Sequence, residues 1–389
     1  MRPSPASVGL LQIGALALAP ATALGITRFA YALLLPDMRS DLGLTYSAAG
    51  WLNTTNAIGY LVGALLAARS IERLGAKKTA IMGVVLCLVS LAACALIRDQ
   101  FALNGARLLG GLGGGFAYIG AALAATEIAT RHPRREALLL ALLYAGPGLG
   151  IVASGISLPF LLEGLGAGSW PWGWVLQLAI ALPMSMLLPL GFREADPGKS
   201  ARHRVVRLGP IAPMLVGYCL FGAGYIGYMT FMIAFVRDGG GGALEQATFW
   251  STIGIAAALS PLIWFDVIRR AKGGRAFALI GIVTTIGALL PLVIHDTAAR
   301  YVSAALFGCS FFSVVASTTS YVRNNLDRED WSGAIASMTA SFGFGQIAGP
   351  VLSGYLSDAF GGLDTGLMFS VGLLLSGAVL GSRQPALKR

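Results

Sequence analysis

The chain has 389 residues, of which 56% are apolar and only 12% charged, with a formal net charge of +10 at pH 7. Soluble domains carry about 25% charged residues, so this composition excludes a soluble enzyme or binding module. The basic excess is not a nucleic-acid signature either, because the positive residues fall in short connections between apolar runs.

A helix that crosses a bilayer needs about 20 mostly apolar residues, and lipid leaves helices as the only plausible spanning element here. The first predicted span covers 9–35. Ala19 and Ala21 mimic a leader cleavage site, but apolar character continues to Leu35, so the segment reads as a span and not as a removed leader. It contains Arg28, and Asp37 follows nine residues later, beyond direct reach along a straight helix. The spans 46–68, with Asn53 and Asn56, and 79–97 flank a basic connection, Arg69–Lys78. Next come 101–125, carrying Arg107 and Tyr118, and 137–162, carrying Tyr144, Gly146-Pro147-Gly148-Leu149-Gly150 and Gly155. The span 171–191 precedes the longest polar connection, Phe192–Leu208. Six more follow: 209–236 with Tyr225 and Tyr228, 245–268, 276–294, 300–322, 332–356 with Gln346, and 365–382.

This pattern predicts an all-α integral membrane protein with twelve transmembrane helices in two pseudo-symmetric six-helix bundles. The expected domains are 1–191, a linker 192–208, and 209–389. Twenty-two lysines and arginines fall at one set of helix ends, against only Arg39, Arg98, Arg237 and Arg300 at the other. The positive-inside rule then puts both termini and the linker in the cytoplasm. The seven tryptophans lie near predicted helix ends, as an interfacial belt requires.

An offset of 197 residues aligns the halves: Gly25, Arg28 and Tyr31 face Gly222, Tyr225 and Tyr228, and Gly146 and Gly148 face Gly343 and Gly345. Parallel six-helix halves are the pattern in which substrate sits near the midplane between repeats. The four cysteines lie inside apolar runs without metal-ligand spacing, so neither metal nor disulfide is expected. No Ser/His/Asp arrangement, HExxH or phosphate loop is present, which argues against an enzyme and against a cofactor.

Gly63–Lys78 (GALLAARSIERLGAKK) resembles the loop between helices 2 and 3 of the major facilitator superfamily, with Glu72 where aspartate is usual. The resemblance implies that Glu72, Arg73 and Lys77 latch helix ends on the cytoplasmic side. Arg107-Leu108-Leu109-Gly110-Gly111 resembles the motif with a buried arginine linked to proton coupling. Gly146-Pro147 with Gly150 resembles the glycine–proline motif associated with antiporters. Gly25–Tyr31 and Gly222–Tyr228 are similar to the YbfB/YjiJ-like bacterial branch. A secondary transporter of the bacterial inner membrane, working as a monomer by alternating access, is what the likeness implies; helices 1, 4, 7 and 10 would line its cavity.

Arg28 and Arg107 are the two intramembrane cations, and such residues are functional-site hypotheses by default. All eighteen Asp and Glu fall in loops or at helix ends by this reading. The expected substrate is therefore a small organic anion, bound by Arg28 and Arg107, with Tyr31, Asn56, Tyr118, Tyr225, Tyr228 and Gln346 shaping the site. Asp37, Glu72, Arg73, Lys77, Gly146, Pro147 and Gly150 are the gating or coupling candidates, with protons or a counter-anion as the coupled partner. The alternative is a proton-coupled exporter of drugs or other apolar compounds.

Overall fold

The computed structural model describes residues 5–192 and 208–387; the expected linker, apart from Phe192 and Leu208, lies outside the described residues. Among them no strand occurs. Among the described residues twelve helices follow one another. α1 runs from Pro5 to Leu42 in three pieces, Pro5–Pro20, Ala21–Phe29 and Tyr31–Leu42. α2 (46–74) and α3 (76–96) form one continuous stretch broken at Gly75, whose φ of 82° is the left-handed backbone that favours glycine. Then come α4 (Gln100–Thr130), α5 (Glu136–Leu165, interrupted at Ala145) and α6 (Trp170–Gly191). The second half holds α7 (Gly209–Asp238), α8 (Ala243–Arg270), α9 (Arg275–Val293), α10 (Thr297–Asn325), α11 (Trp331–Ala359) and α12 (Leu363–Ser382). Among the described residues, ten of these stretches are long and apolar enough to cross a membrane, one of them being the joined α2–α3. α11 has 29 residues but is rich in serine and glycine, which lowers its mean hydropathy without shortening it.

The chain divides into two compact units. Of the described residues, the first takes 5–42, 55–192 and 242–258, and the second takes 43–54, 208–241 and 259–387. Each unit exposes large apolar side chains, such as Phe101, Leu96 and Met186 in the first and Leu262 and Phe344 in the second, and buries others, such as Trp174 and Phe307, while glycines make many of the closest helix contacts. That is what a lipid solvent selects, since helices in a bilayer associate through close backbone approach and not by hiding apolar surface. In the first unit Gly59, Gly63 and Gly111 bring α2 against α4, and Gly83 and Gly113 bring α3 against α4. Four charged side chains are buried among the described residues: Arg28, Asp37, Arg107 and Arg300.

In the second unit the start of α2 is fastened to α11 and α7. Asp358 accepts hydrogen bonds from Tyr46 N (2.8 Å), Ser47 N (2.8 Å) and Ser47 Oγ (2.5 Å), capping three groups at that helix start. Asn53 Nδ2 donates to Thr230 Oγ1 at 2.6 Å, and Thr54 Oγ1 to the Ile347 carbonyl at 2.7 Å. Gly50 lies against the Pro350 carbonyl and Gly354 against the Tyr46 carbonyl, so neither tolerates a Cβ. Asp358 lies two residues past the apolar stretch 332–356. Partial burial works against its charge, and the bonds from Ser47 and Tyr46 outweigh it, holding the carboxyl below the ordinary 3.8. A depressed carboxyl stabilises the fold above its unfolded value and loses that contribution as pH falls through the folded one. Asp358→Ala should therefore lower the melting point at neutral pH by the equivalent of about 1 kcal/mol, the usual worth of such a cap. The difference from wild type should shrink on acidification below about pH 4, measured by thermal unfolding in detergent; an equal deficit at all pH values would refute the assignment.

The end of the chain is also tied in. Gln384 Nε2 donates to the Pro210 carbonyl and Tyr321 Oη, and Gln384 Oε1 accepts from Met214 N.

Candidate functional site

The two intramembrane arginines lie in the first unit, and a change of helix type in α1 presents Arg28 and brings its backbone to Arg107 of α4. Residues Ala21–Phe29 wind as a π-helix, and Thr27 Oγ1 donates to the Thr22 carbonyl at 2.9 Å, matching the five-residue register. Pro20, at its start, has no N–H to give to the preceding turn. π-turns are rare and concentrate at functional sites because they leave backbone groups and side chains out of the regular ladder. Here the released carbonyls have a specific partner. Arg107, on α4 and 1% exposed, donates from Nη1 to the Thr27 carbonyl at 2.5 Å and from Nη2 to the Arg28 carbonyl at 3.4 Å. Its guanidinium carbon also lies 4.8 Å from the Tyr31 ring centre and 5.5 Å from that of Trp174, a cation–aromatic contact on each.

Arg28 has different surroundings. It is 3% exposed, and its guanidinium carbon lies 5.3 Å from the Tyr60 ring centre and 5.9 Å from Phe29. Its Nε and Nη2 are buried without a hydrogen-bond partner among the described residues. Those two nitrogens form the side-on edge of a guanidinium, whose parallel N–H bonds match the two oxygens of a carboxylate. Asn56, on α2 and one helical turn before Tyr60, donates from Nδ2 to the Arg107 carbonyl at 3.0 Å and is 1% exposed. Its Oδ1 is buried with no partner among the described residues.

α5 sets the position of this segment. Its break at Ala145 precedes Gly146-Pro147, and Gly146 and Gly150 fit against the Ala17 and Ala21 carbonyls of α1. A Cβ on Gly25 would meet the Gly150 Cα at 2.5 Å and the Pro147 carbonyl at 2.6 Å. Gly148 and Gly155 face the other way, onto Gly254 and Ser251 of α8. Close helix packing thus accounts for the glycines of this motif, and one of its faces carries the backbone that presents Arg28.

The remaining sequence-derived residues separate into groups. Tyr31 and Asn56 join the two arginines. Tyr118 is half-buried on α4, eleven residues beyond Arg107 and thus about 16 Å along the helix at 1.5 Å per residue. Asp37 is 3% exposed, and both of its oxygens are engaged: Oδ1 accepts from Gly168 N at 2.9 Å and Oδ2 from Trp170 N at 2.8 Å, at the start of α6. Asp41 accepts from Trp170 Nε1 at 2.8 Å, and Arg98 lies over the same indole at 4.5 Å. Glu72, Arg73 and Lys77 lie around the Gly75 break, all three exposed.

In the second unit Tyr225, Tyr228 and Gln346 are buried. Gln346 Nε2 donates to Tyr225 Oη, and Tyr228 Oη is 2.8 Å from Ser303 Oγ. Tyr225 stacks on Phe342, Phe221 and Phe311, and Tyr228 on Phe307, in one run of rings. The sequence reading missed Tyr60, Trp174 and the π-segment. The four-residue spacing from Asn56 to Tyr60 could have flagged Tyr60, but nothing local announces Trp174, which comes to Arg107 from a different helix.

Residues 20–381 match the protein family described as "Uncharacterised MFS-type transporter YbfB". Among solved structures, the chain is similar to a bacterial homologue of the human lysosomal transporter Spinster in an inward-facing, unoccupied conformation. The TM-score is 0.69 at 14% identity, over 98% of this chain and 97% of that one. It is similar also to the nucleoside transporter NupG, in a mutant form, with a TM-score of 0.74 at 13% identity, over 98% and 100% of the two chains. A comparison with curated proteins finds no match. At these identities the structural likeness establishes the fold, and the family match establishes the class. With its α-helical membrane architecture and the match over residues 20–381, the chain belongs to the YbfB family of major facilitator transporters: a multi-pass membrane protein that moves a small-molecule substrate and is not an enzyme.

Proposed function

We propose that this transporter moves a small organic anion, and that Arg28 is the residue that holds its carboxylate. The observation that carries this reading is the pair of partnerless donors on Arg28, Nε and Nη2, on a side chain only 3% exposed. A cation within a membrane-spanning segment costs several kcal/mol unless it is paired or hydrated. The rings of Tyr60 and Phe29 offset part of that cost through cation–aromatic attraction, but they supply no acceptor to the two N–H bonds. A bound carboxylate would supply both acceptors and the countercharge at once.

Arg107 has a supporting part in this reading. Its donors face backbone carbonyls of the π-segment, so it fixes the turn from which Arg28 projects and adds positive charge beside it. Tyr31 and Trp174 hold Arg107 in turn. Asp37, the one buried carboxylate among the described residues, is already taken up by two backbone bonds. We therefore assign coupling to a proton carried on the substrate or to exchange against a second anion. The lysine and arginine asymmetry supports a bacterial inner-membrane protein with both termini in the cytoplasm, working by alternating access of two six-helix halves.

The test is a ligand-stabilisation screen of the purified protein in detergent, with organic acids, amino acids and cationic drugs at two pH values. Organic acids should raise the melting temperature, and Arg28→Ala should abolish that rise. Selective stabilisation by cationic drugs, or an acid-induced rise that survives Arg28→Ala, would overturn the reading.

A further inference from the structure

We infer that the anion taken at Arg28 is a hydroxycarboxylate, with its carboxylate on the Nε–Nη2 edge and its hydroxyl donating to Asn56 Oδ1. This rests on the reading that Arg28 binds a carboxylate.

The acceptor is identified by chemistry. The side-chain amide of Asn56 has two ends, and the end facing the Arg107 carbonyl at 3.0 Å must be the NH2, since a carbonyl can only accept. The other end is therefore Oδ1, and it is buried without a donor among the described residues. An amide oxygen deprived of a hydrogen bond in a buried site is costly, and each unmet donor of the charged Arg28 more so. Two donors and one acceptor are thus left unsatisfied around Tyr60 in the first unit; Trp174 Nε1, beside Arg107, and Thr22 Oγ1, in the π-segment, are also buried without a partner among the described residues.

Arg107 joins them. Its carbonyl receives Asn56, and its guanidinium reaches the carbonyl of Arg28. Tyr60 joins them a second time. It follows Asn56 by four residues, so the two side chains share a face of α2 at about 5–6 Å between Cβ atoms, and the Arg28 guanidinium lies over the Tyr60 ring at 5.3 Å. A ligand that satisfies all three atoms needs a carboxylate and, close to it, one hydrogen-bond donor.

Charge selects the kind of donor. An ammonium would also donate to Oδ1, but it would stand beside two guanidinium groups. Asp37, the one buried carboxylate among the described residues, is engaged at the start of α6. A neutral hydroxyl makes the same bond without that repulsion. The site is therefore complementary to a hydroxy acid in preference to an amino acid or an unsubstituted acid.

The experiment uses the purified full-length protein in detergent and isothermal titration. The probes are matched sets of straight-chain 2-hydroxy, 2-amino and unsubstituted carboxylic acids with about three to six carbons, each small enough to be enclosed in a buried site. In at least one set the hydroxy acid should bind about tenfold or more tightly than the unsubstituted acid, the effect of leaving a buried acceptor unmet. Asn56→Ala should reduce that preference to near unity, and Asn56→Ser serves if the alanine variant does not fold. The preference of wild type over the three acids decides the matter even if neither variant can be purified. Arg28-dependent binding of all three acids with equal affinity, or a preference for the amino acid, would overturn the hydroxyl assignment and leave the carboxylate reading standing. Absence of binding by any acid in any set would overturn both.

Discussion

Arg28→Lys should reduce anion uptake into proteoliposomes by at least about a hundredfold while leaving the amount of folded protein unchanged. Lysine keeps the positive charge, so a site that needed only a cation would tolerate it. The Arg28 site offers something lysine cannot reproduce: two parallel N–H bonds in one plane, stacked on the Tyr60 ring. An ammonium is a point charge, more strongly hydrated and without a flat face, so it loses both the bidentate geometry and the stacking. Charge-assisted hydrogen bonds contribute about 1.5–3 kcal/mol each, and a loss of about 2.7 kcal/mol corresponds to the hundredfold expected. Folding should survive because no protein partner of Nε or Nη2 is removed. Uptake by the lysine variant at near wild-type rate would mean that the guanidinium shape has no part in substrate recognition.

Gly25→Val should prevent accumulation of folded protein, whereas Gly14→Ala, eleven residues earlier in the same helix, should be close to neutral. A Cβ at Gly25 would come within 2.5 Å of the Gly150 Cα and 2.6 Å of the Pro147 carbonyl, both of them backbone atoms of α5 that cannot rotate away. Relieving the clash requires α1 and α5 to separate, and that removes the contacts of Gly146 and Gly150 with the Ala17 and Ala21 carbonyls as well. Overpacking typically costs about 1–3 kcal/mol where side chains can adjust; with backbone on both sides the cost lies above that range, enough to unfold a marginally stable protein. At Gly14 nothing lies within 4 Å of the added carbon, and alanine is the better helix former. Detergent-solubilised size-exclusion profiles of the two variants compare them directly. A monodisperse, wild-type-like Gly25→Val would show that the α1–α5 contact is looser than the structure has it.

The helices were legible in the sequence because each is a contiguous apolar run, and lipid demands such runs wherever a chain crosses it. The two intramembrane arginines were legible for the converse reason, as cations where cations are expensive. What the sequence did not disclose is how the two differ. Arg28 and Arg107 carry the same group, yet Arg107 is aimed at backbone carbonyls while one edge of Arg28 meets no acceptor among the described residues. That difference depends on the π-turn of Ala21–Phe29, which swings carbonyls towards α4, and no periodicity in a uniformly apolar segment announces a π-turn. Asp358 was unreadable for a related reason: its partners, Tyr46 and Ser47, lie more than three hundred residues away in the chain. The GPGLG segment was visible as a motif, but its two faces were not, because glycine offers no side chain from which to infer a direction.

The position of Asp37 gives that residue a mechanical character. Its two oxygens hold the amides of Gly168 and Trp170, at the start of α6, while its own backbone belongs to the last turns of α1. One side chain thus fastens α1, which presents Arg28, to α6, which presents Trp174 to Arg107, by two directed bonds where their ends adjoin.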